Sequence, residues 1–395
     1  MVTPRRYRIS ISREGWCYLV VIAFIFLGAV IRDINLLVLL FGMLIGPLLY
    51  SWIAVVLSLR GVQVTRQLPA EIVAGEPFEV QLTLTNGKRR FNSWAVCVDD
   101  RIEPFVTPAG IQAIGGGVLF FRTPAGQTSH GSYRACLTTR GQYRFGPLVV
   151  ASRFPFGLVR RSMVFDDRAT VTVLPRLGQM SPGWSQPKPG MTQHSRVSQR
   201  RRGMLEGEFL GLREWRSGDS TRWIHWRTTA RKGELMVRQF ERHQNHDLAL
   251  LLDLWQPAEP TSEDRDRVEL AVSLAATMLR EHCRQSGGHL WLFTSGRELP
   301  LVKGPASMAL FRDGMEGLAV QQAWSRDHLP ELVAVAGREL PLSARIRLIT
   351  TRKPPVEPWQ SAVPGSAEDQ LAEIWSRIET IDVGSGDLDR CFQTV

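Results

Sequence analysis

Two uncharged apolar runs, four residues apart, restrict this chain more than any other feature in it. WCYLVVIAFIFLGAVI spans Trp16 to Ile31, and LLVLLFGMLIGPLLYSWIAVVLSL spans Leu36 to Leu59. About 20 apolar residues in a helix cross a hydrocarbon core about 30 Å thick. The second run is ample. The first is slightly short, and Arg13–Glu14 or Arg32–Asp33 would extend it by snorkelling. A cleavable signal peptide would need a small-residue cleavage site after the first run, and a second apolar run stands there instead. A buried hairpin in a soluble protein is the minority alternative. Residues 16–59 are therefore read as a two-helix membrane hairpin, giving an integral protein with two spans.

Arg5, Arg6, Arg8 and Arg13 precede the first run, Arg60 and Arg66 follow the second, and the connecting RDIN is neutral. Basic flanks stay inside. Residues 1–15 are thus expected to be a cytoplasmic N-terminus, with the body cytoplasmic too and the hairpin in the inner membrane. Gly42 and Gly46 form a small-xxx-small step for close approach of the two helices or of two copies, although homo-oligomerisation is not determined by it. Pro47 suggests a kink.

After the hairpin, VQVTRQLP, EPFEVQLTLTN, SWAVCVDD, GVLFFRTP, SYRACLTT and RATVTVLP alternate apolar with polar residues between Gly, Pro and Asn. Short strands at this spacing predict a β-sandwich, immunoglobulin-like, over residues 61–175. RGQYRFGPL and SRFPFGLVRR within it read as turn-rich connections with packing aromatics. Residues 176–203, rich in Pro, Gly, Ser and Gln, read as a linker. The Arg200–Arg202 run there is placed near anionic headgroups or simply in solvent. From residue 247 to 395, DLALLLDL, HLWLFTS, RIRLITT and TIDVG are apolar strands alternating with helical stripes around 262–285, 305–320 and 327–338. That alternation predicts a doubly wound parallel α/β sheet.

The net charge of +10 is local. Residues 1–60 carry six Arg against two acids, and residues 196–242 carry twelve basic residues against six acids. Such blocks face phosphates, acidic lipids, acidic partners or solvent. The second block runs from the end of the linker into the segment at residues 204–246, where EFLGLREWRSGDSTRWIHWRTTARKGELMVRQFE begins at Glu208. Its ends alternate like strands. Between them Asp219 is expected to N-cap one helix, STRWIHWRTTAR, closed by Gly233. Along that helix Arg222 would stack on Trp226, and Trp223 on Arg227.

EGEFLGLREWRSGDSTRWIHWRTTAR resembles the signature of the bacterial domain-of-unknown-function fifty-eight family. The matching positions are Gly207, Glu208, Phe209, Arg213, Trp215, Gly218, Asp219, Arg222, Ile224, Trp226, Ala230 and Arg231. The resemblance implies a von Willebrand factor A-like α/β domain and a MoxR-type AAA+ ATPase as partner. It brings no settled activity.

A metal-binding A-type domain needs D-x-S-x-S after its first strand, because hard cations need clustered oxygens. Here Asp253-Leu254-Trp255-Gln256-Pro257 stands in that place, so Asp253 is a degenerate position and no metal or other cofactor is expected. Cys17, Cys97, Cys136, Cys283 and Cys391 form no CxxC pair, and His243 and His246 have no further ligand pair at metal spacing.

Three functions remain. The leading one is a non-enzymatic membrane-tethered adaptor that docks a protein through Glu208, Arg213, Trp215, Gly218, Asp219, Arg222, Ile224, His225, Trp226, Ala230 and Arg231. The second is an enzyme with His225 as base, oriented by Asp219 or Glu214. The third is binding of anionic lipid or, less favoured because of the interspersed acids, nucleic acid. A buried network of Arg213, Asp219, Arg222 and Arg231 is the structural alternative for the same residues.

Overall fold

The computed structural model describes residues 4–32, 34–105, 114–181, 209–217, 219–240, 247–285, 287–296, 300–341, 343–353, 372, 374–384, 388 and 392–394. The chain forms two compact units, Met1–Arg176 with Leu318–Gln321, and Leu177–Gly317 with Gln322–Val395.

In the first unit the apolar runs form α1 (Arg13–Arg32) and α2 (Asn35–Leu59), each with mean hydropathy 2.2 over its most apolar window. Phe26 packs on Phe41, and the Tyr18 hydroxyl donates to the Leu44 carbonyl. Gly42 and Gly46 lie elsewhere: a Cβ built on either meets nothing within 4 Å, so the small-residue step does not join α1 to α2.

Both ends of the hairpin are fastened to one sheet. β1 (Pro4–Ile11) pairs antiparallel with β10 (Val159–Phe165), where the sequence reading had placed only a basic N-terminus. Tyr7, Ile9 and Ile11 alternate with Arg8 and Ser10, which is strand periodicity hidden among the arginines. Ser12 then caps α1, its Oγ accepting from the Gly15 N–H. Gly15 is needed there, because a Cβ would lie 2.1 Å from the Leu158 carbonyl oxygen. At the other end, Lys88 Nζ donates to the Leu57 and Ser58 carbonyls and to Ser93 Oγ, each at 2.8 Å, and Arg161 donates to the Val56 carbonyl. These bonds satisfy carbonyls that a helix C-terminus leaves open.

The remaining strands are β2 (Val62–Gln67), β3 (Ile72–Val73), β4 (Pro77–Asn86), β5 (Ser93–Pro104), β6 (Ile114–Thr123), β7 (Thr128–Cys136), β8 (Gly141–Phe145), β9 (Leu148–Ser152) and β11 (Ala169–Leu174). An eight-stranded sheet runs β1-β10-β9-β5-β8-β11-β3, with β6 also on β5, and a second sheet runs β2-β4-β7. Val64, Leu82 and Leu84 of the small sheet share one core with Val98, Phe145 and Phe165 of the large one. RGQYRFGPL lies mostly in strands β8 and β9 rather than in a connection.

Arg66 corrects its part in the orientation argument. It is buried in the β unit, its Nη1 2.8 Å from Asp100, whose other oxygen accepts from the Tyr133 hydroxyl. A guanidinium spent on a buried carboxylate cannot also face lipid headgroups.

The second unit begins with β12 (Gly178–Met180), paired to β20 (Phe392–Thr394), and continues with β13 (Phe209–Glu214), α3 (Trp226–Lys232) and β14 (Met236–Phe240). A five-stranded sheet follows: β15 (Leu248–Asp253), β16 (His289–Thr294), β17 (Val302–Pro305), β18 (Arg345–Thr350) and β19 (Ile378–Asp382), in the order β17-β16-β15-β18-β19. Only β17 is antiparallel. Its helices are α4 (Ser262–Arg284), α5 (Met308–Ala319) and α6 (Leu329–Glu339). One face, with Ala249, Leu251, Trp291 and Phe293, packs on Leu329, Leu332, Val333 and Ala336 of α6. The alternate residues Leu250, Leu252, Leu290 and Leu292 are equally buried, and α4 contacts β15 and β18. Burial on both faces explains why β15 reads as an unbroken apolar run. Most of the proposed linker, from 182 to 203, lies outside the described residues, as do Glu208, Gly218, His243, His246 and Cys391.

Candidate functional site

The basic segment folds as a strand, a turn, a broken helix and a strand. β13 and β14 pair antiparallel from Phe209↔Phe240 to Glu214↔Met236. The expected single helix is divided in two. A 3-10 turn at Thr221–Trp223 ends where Ile224 bridges to Val237, and α3 starts only at Trp226. Ile224 is β-like because its side chain is buried along with Met236 and Val237; burial outweighed local helical preference. The break cancels the i,i+4 geometry. Among the described residues, neither Arg222 with Trp226 nor Trp223 with Arg227 stacks.

Asp219 does not cap a helix. Its carboxylate accepts from Arg213 Nη1 at 2.6 Å and Nη2 at 2.7 Å, and from the Arg216 N–H at 2.8 Å. The Trp215 indole N–H donates to the Asp219 carbonyl at 3.3 Å. Hydrogen bonding by Arg213 and then by the Arg216 backbone holds the Asp219 carboxyl down to about 2. Capping falls to others. Ser220 Oγ accepts from the Arg222 N–H, and His225 Nδ1 accepts from the Thr228 N–H at 3.3 Å while sharing a 2.8 Å bond with the Thr228 hydroxyl. Gly233 closes α3 with φ 75°, the left-handed cap that favours glycine, and Thr229 Oγ1 ties the next strand by accepting from the Met236 N–H.

The buried-network alternative is corrected by these contacts. Arg213 and Asp219 pair, whereas Arg222, Arg227 and Arg231 are exposed and form no ion pair among the described residues. Trp226 is 66% exposed, Trp215 is at the surface, and Ala230 is exposed as well. The result is a basic, aromatic surface on a small unit braced from within by one bidentate ion pair.

A second cluster, which only the tertiary structure assembles, lies at the C-terminal ends of β15 and β18. Asp253, 1% exposed, has Arg352 Nε 3.5 Å from its Oδ2. Arg352 also reaches Asp327 at 2.5 Å and lies over the Trp255 ring. Thr351 Oγ1 donates to the Trp255 carbonyl and accepts from the Trp255 N–H. A guanidinium thus supplies positive charge in front of the strand, where the sequence pointed only to a degenerate acid. Burial pushes the Asp253 carboxyl up, Arg352 pulls it down and Asp327 raises it further. Arg352 lies about a hundred residues from Asp253, and no local spacing relates them.

An apolar two-helix hairpin, an all-β unit and a parallel α/β unit preceded by a braced Arg–Trp segment define the class of chain. Residues 211–308 match the family described as "Protein of unknown function DUF58", which supports that family for this chain. The "Uncharacterized protein YeaD" of Bacillus subtilis (strain 168) is 24% identical over 254 residues, 61% of this chain, and the match spans 58% of that relative's own length. Among solved structures, a beta-glucosidase from Listeria innocua is 16% identical over 28% of this chain and 16% of its own, with TM-score 0.20. A superoxide reductase (neelaredoxin) from Ignicoccus hospitalis is 12% identical over 28% of this chain and 80% of its own, with TM-score 0.20. Likenesses this low carry no argument about fold or function.

Proposed function

We propose that this chain is a non-enzymatic, membrane-tethered adaptor. α1 and α2 hold it in the cytoplasmic membrane, and the surface around Trp226 docks a protein partner. The observation that carries this reading is an exposed Trp226 with Arg222, Arg227 and Arg231 exposed on the same rigidly capped segment. Trp and Arg dominate interface hot spots, because they bury large area with few rotatable bonds or form several directed hydrogen bonds. The partner class, a MoxR-type AAA+ ATPase, comes from the family resemblance, as does the von Willebrand factor A-like reading of the α/β unit; the immunoglobulin-like reading of the β unit comes from its strand spacing.

β1 before α1 pairs with the large sheet and the end of α2 is hydrogen-bonded to it through Ser93 and Arg161, so residues 4–11 and the β unit belong on the same side of a bilayer. The Arg-rich flanks assign that side to the cytoplasm. The enzyme reading loses support because His225 spends Nδ1 on capping α3, and no described contact joins it to Asp219 or Glu214. The test is a photo-crosslinking residue at position 226 in native membranes, with position 126 as control. An AAA+ ATPase crosslinked at 226 and not at 126 supports the reading; equal labelling at both, or none, overturns it.

A further inference from the structure

The last turns of α2 are unlike the rest of the hairpin. Ser51, Val55, Ser58 and Leu59 are buried, Ser58 bonded to the Trp94 carbonyl and Leu59 within the β-unit core, while Tyr50, Trp52 and Ile53 of the same turns are exposed and apolar or aromatic. From Asn35 to Tyr50 the helix rises roughly 24 Å at about 1.5 Å per residue, short of a core about 30 Å thick. The lipid-facing side must therefore continue through Trp52 and Ile53, which are already level with the β unit. The near rim of that unit is consequently at bilayer depth.

That rim carries the segment RFPFGL, Arg153 to Leu158, between β9 and β10. Phe156 is 58% exposed and lies beside Tyr50, ring centroids 6.4 Å apart. Phe154 stacks on Trp94 at 5.6 Å, and Arg122 lies over the other partner of that stack, Trp94. The segment is held to the start of α1, since Ser12 Oγ donates to the Gly157 carbonyl and the Ser12 N–H to that of Leu158. Arg153 and Arg160 line the adjoining cleft with Asp99, and Arg153 also lies within electrostatic reach of Glu14. Exposed aromatics next to arginines, continuous with a membrane hairpin, have the composition of a headgroup-layer anchor.

We propose that residues 153–158 form a third membrane contact, seating Phe154 and Phe156 at the boundary of headgroups and acyl chains, with Arg153 and Arg160 against anionic phospholipid. This rests on the hairpin spanning a bilayer. The contact would fix the depth and tilt at which the hairpin and the β unit fastened to it sit in the bilayer.

The test uses the full chain with its native cysteines replaced, in nanodiscs of phosphatidylcholine with or without phosphatidylglycerol. A nitroxide is placed through Phe24→Cys, Phe156→Cys or Gly126→Cys, and its accessibility to oxygen and to a water-soluble nickel chelate is compared. The expected result is position 24 in hydrocarbon, 126 in water, and 156 at the boundary, deeper with phosphatidylglycerol. That added depth should disappear in Arg153→Gln/Arg160→Gln. Position 156 as chelate-accessible as 126, with 24 still in hydrocarbon, overturns the third contact and leaves the hairpin intact. Position 24 in water overturns both. Equal depth of 156 in the two lipid mixtures overturns the anionic component.

Discussion

Arg213 grips Asp219 through both terminal guanidinium nitrogens, at 2.6 and 2.7 Å, and the Arg216 N–H adds a third bond to the same carboxylate. The pair closes the turn that presents Trp215 and leads into the 3-10 turn. Lys in place of Arg213 would keep the charge and lose the fork. Arg213→Lys and Asp219→Asn should both raise amide exchange across residues 214–223 and weaken partner capture. Unchanged exchange in either variant would contradict a bracing role.

The same pair sets a pH dependence. The folded carboxyl of Asp219 is held to about 2, against an ordinary 3.8. A depressed acid contributes stability that is complete above its unfolded value and is lost as pH falls through the folded one. Ordering of the turn should thus persist to about pH 3 and disappear toward pH 2. Asp219→Asn should remove this transition, as followed by exchange or Trp fluorescence.

Trp226→Ala is expected to change thermal stability by no more than about 0.5 kcal/mol, the usual range for an exposed site. Its effect on partner binding should be about 2 kcal/mol or more if it is a hot spot. Calorimetry and a binding titration separate the two, and a large loss of stability with intact binding would refute the docking surface.

His225 can be tested by shape against chemistry. His225→Ala should cost about 1 kcal/mol of local helix stability through loss of the cap, and His225→Asn should restore it. Asn cannot act as a general base, so a cellular phenotype restored by Asn is expected from capping, whereas one lost with both variants would revive the enzyme reading.

Arg352→Ala should destabilise the α/β unit by about 3 kcal/mol, since it strands the buried Asp253. An acid whose folded value is raised lowers stability as pH climbs past its unfolded value. The penalty should accordingly grow above about pH 4 and be relieved in Arg352→Ala/Asp253→Asn. Chemical denaturation at pH 4 and pH 7 checks the sign.

Lys88 is pushed down to about 8 by burial against the end of α2. Its unfolded state therefore binds more protons between pH 8 and about 10.5, and stability should rise with pH across that window. Lys88→Met should flatten the slope in detergent-solubilised chain.

Much of the architecture was legible because it rests on periodicity. The hairpin, the alternating strands from Val62 to Leu174 and the apolar strand at Leu248–Asp253 follow from patterns that water or lipid imposes on short windows. The helices around 308–319 and 329–339 begin within three residues of where their stripes predicted them. β1 was missed because its alternation is masked by arginines. The break at Ile224 was missed because a buried bridge to Val237 has no local signature.

From sequence alone came the two apolar spans, the order of an all-β region before an α/β region, and the Arg–Trp segment as a place of concentrated charge. Tertiary structure alone settled which cations are used up and which face outward. Arg66 pairs within the β core, Arg213 within the turn and Arg352 in front of Asp253, while Arg222, Arg227 and Arg231 stay exposed. Periodicity reports whether a position is wet or dry. A charged partner can be supplied from anywhere in the chain, so pairing is decided only once the fold has brought distant residues together.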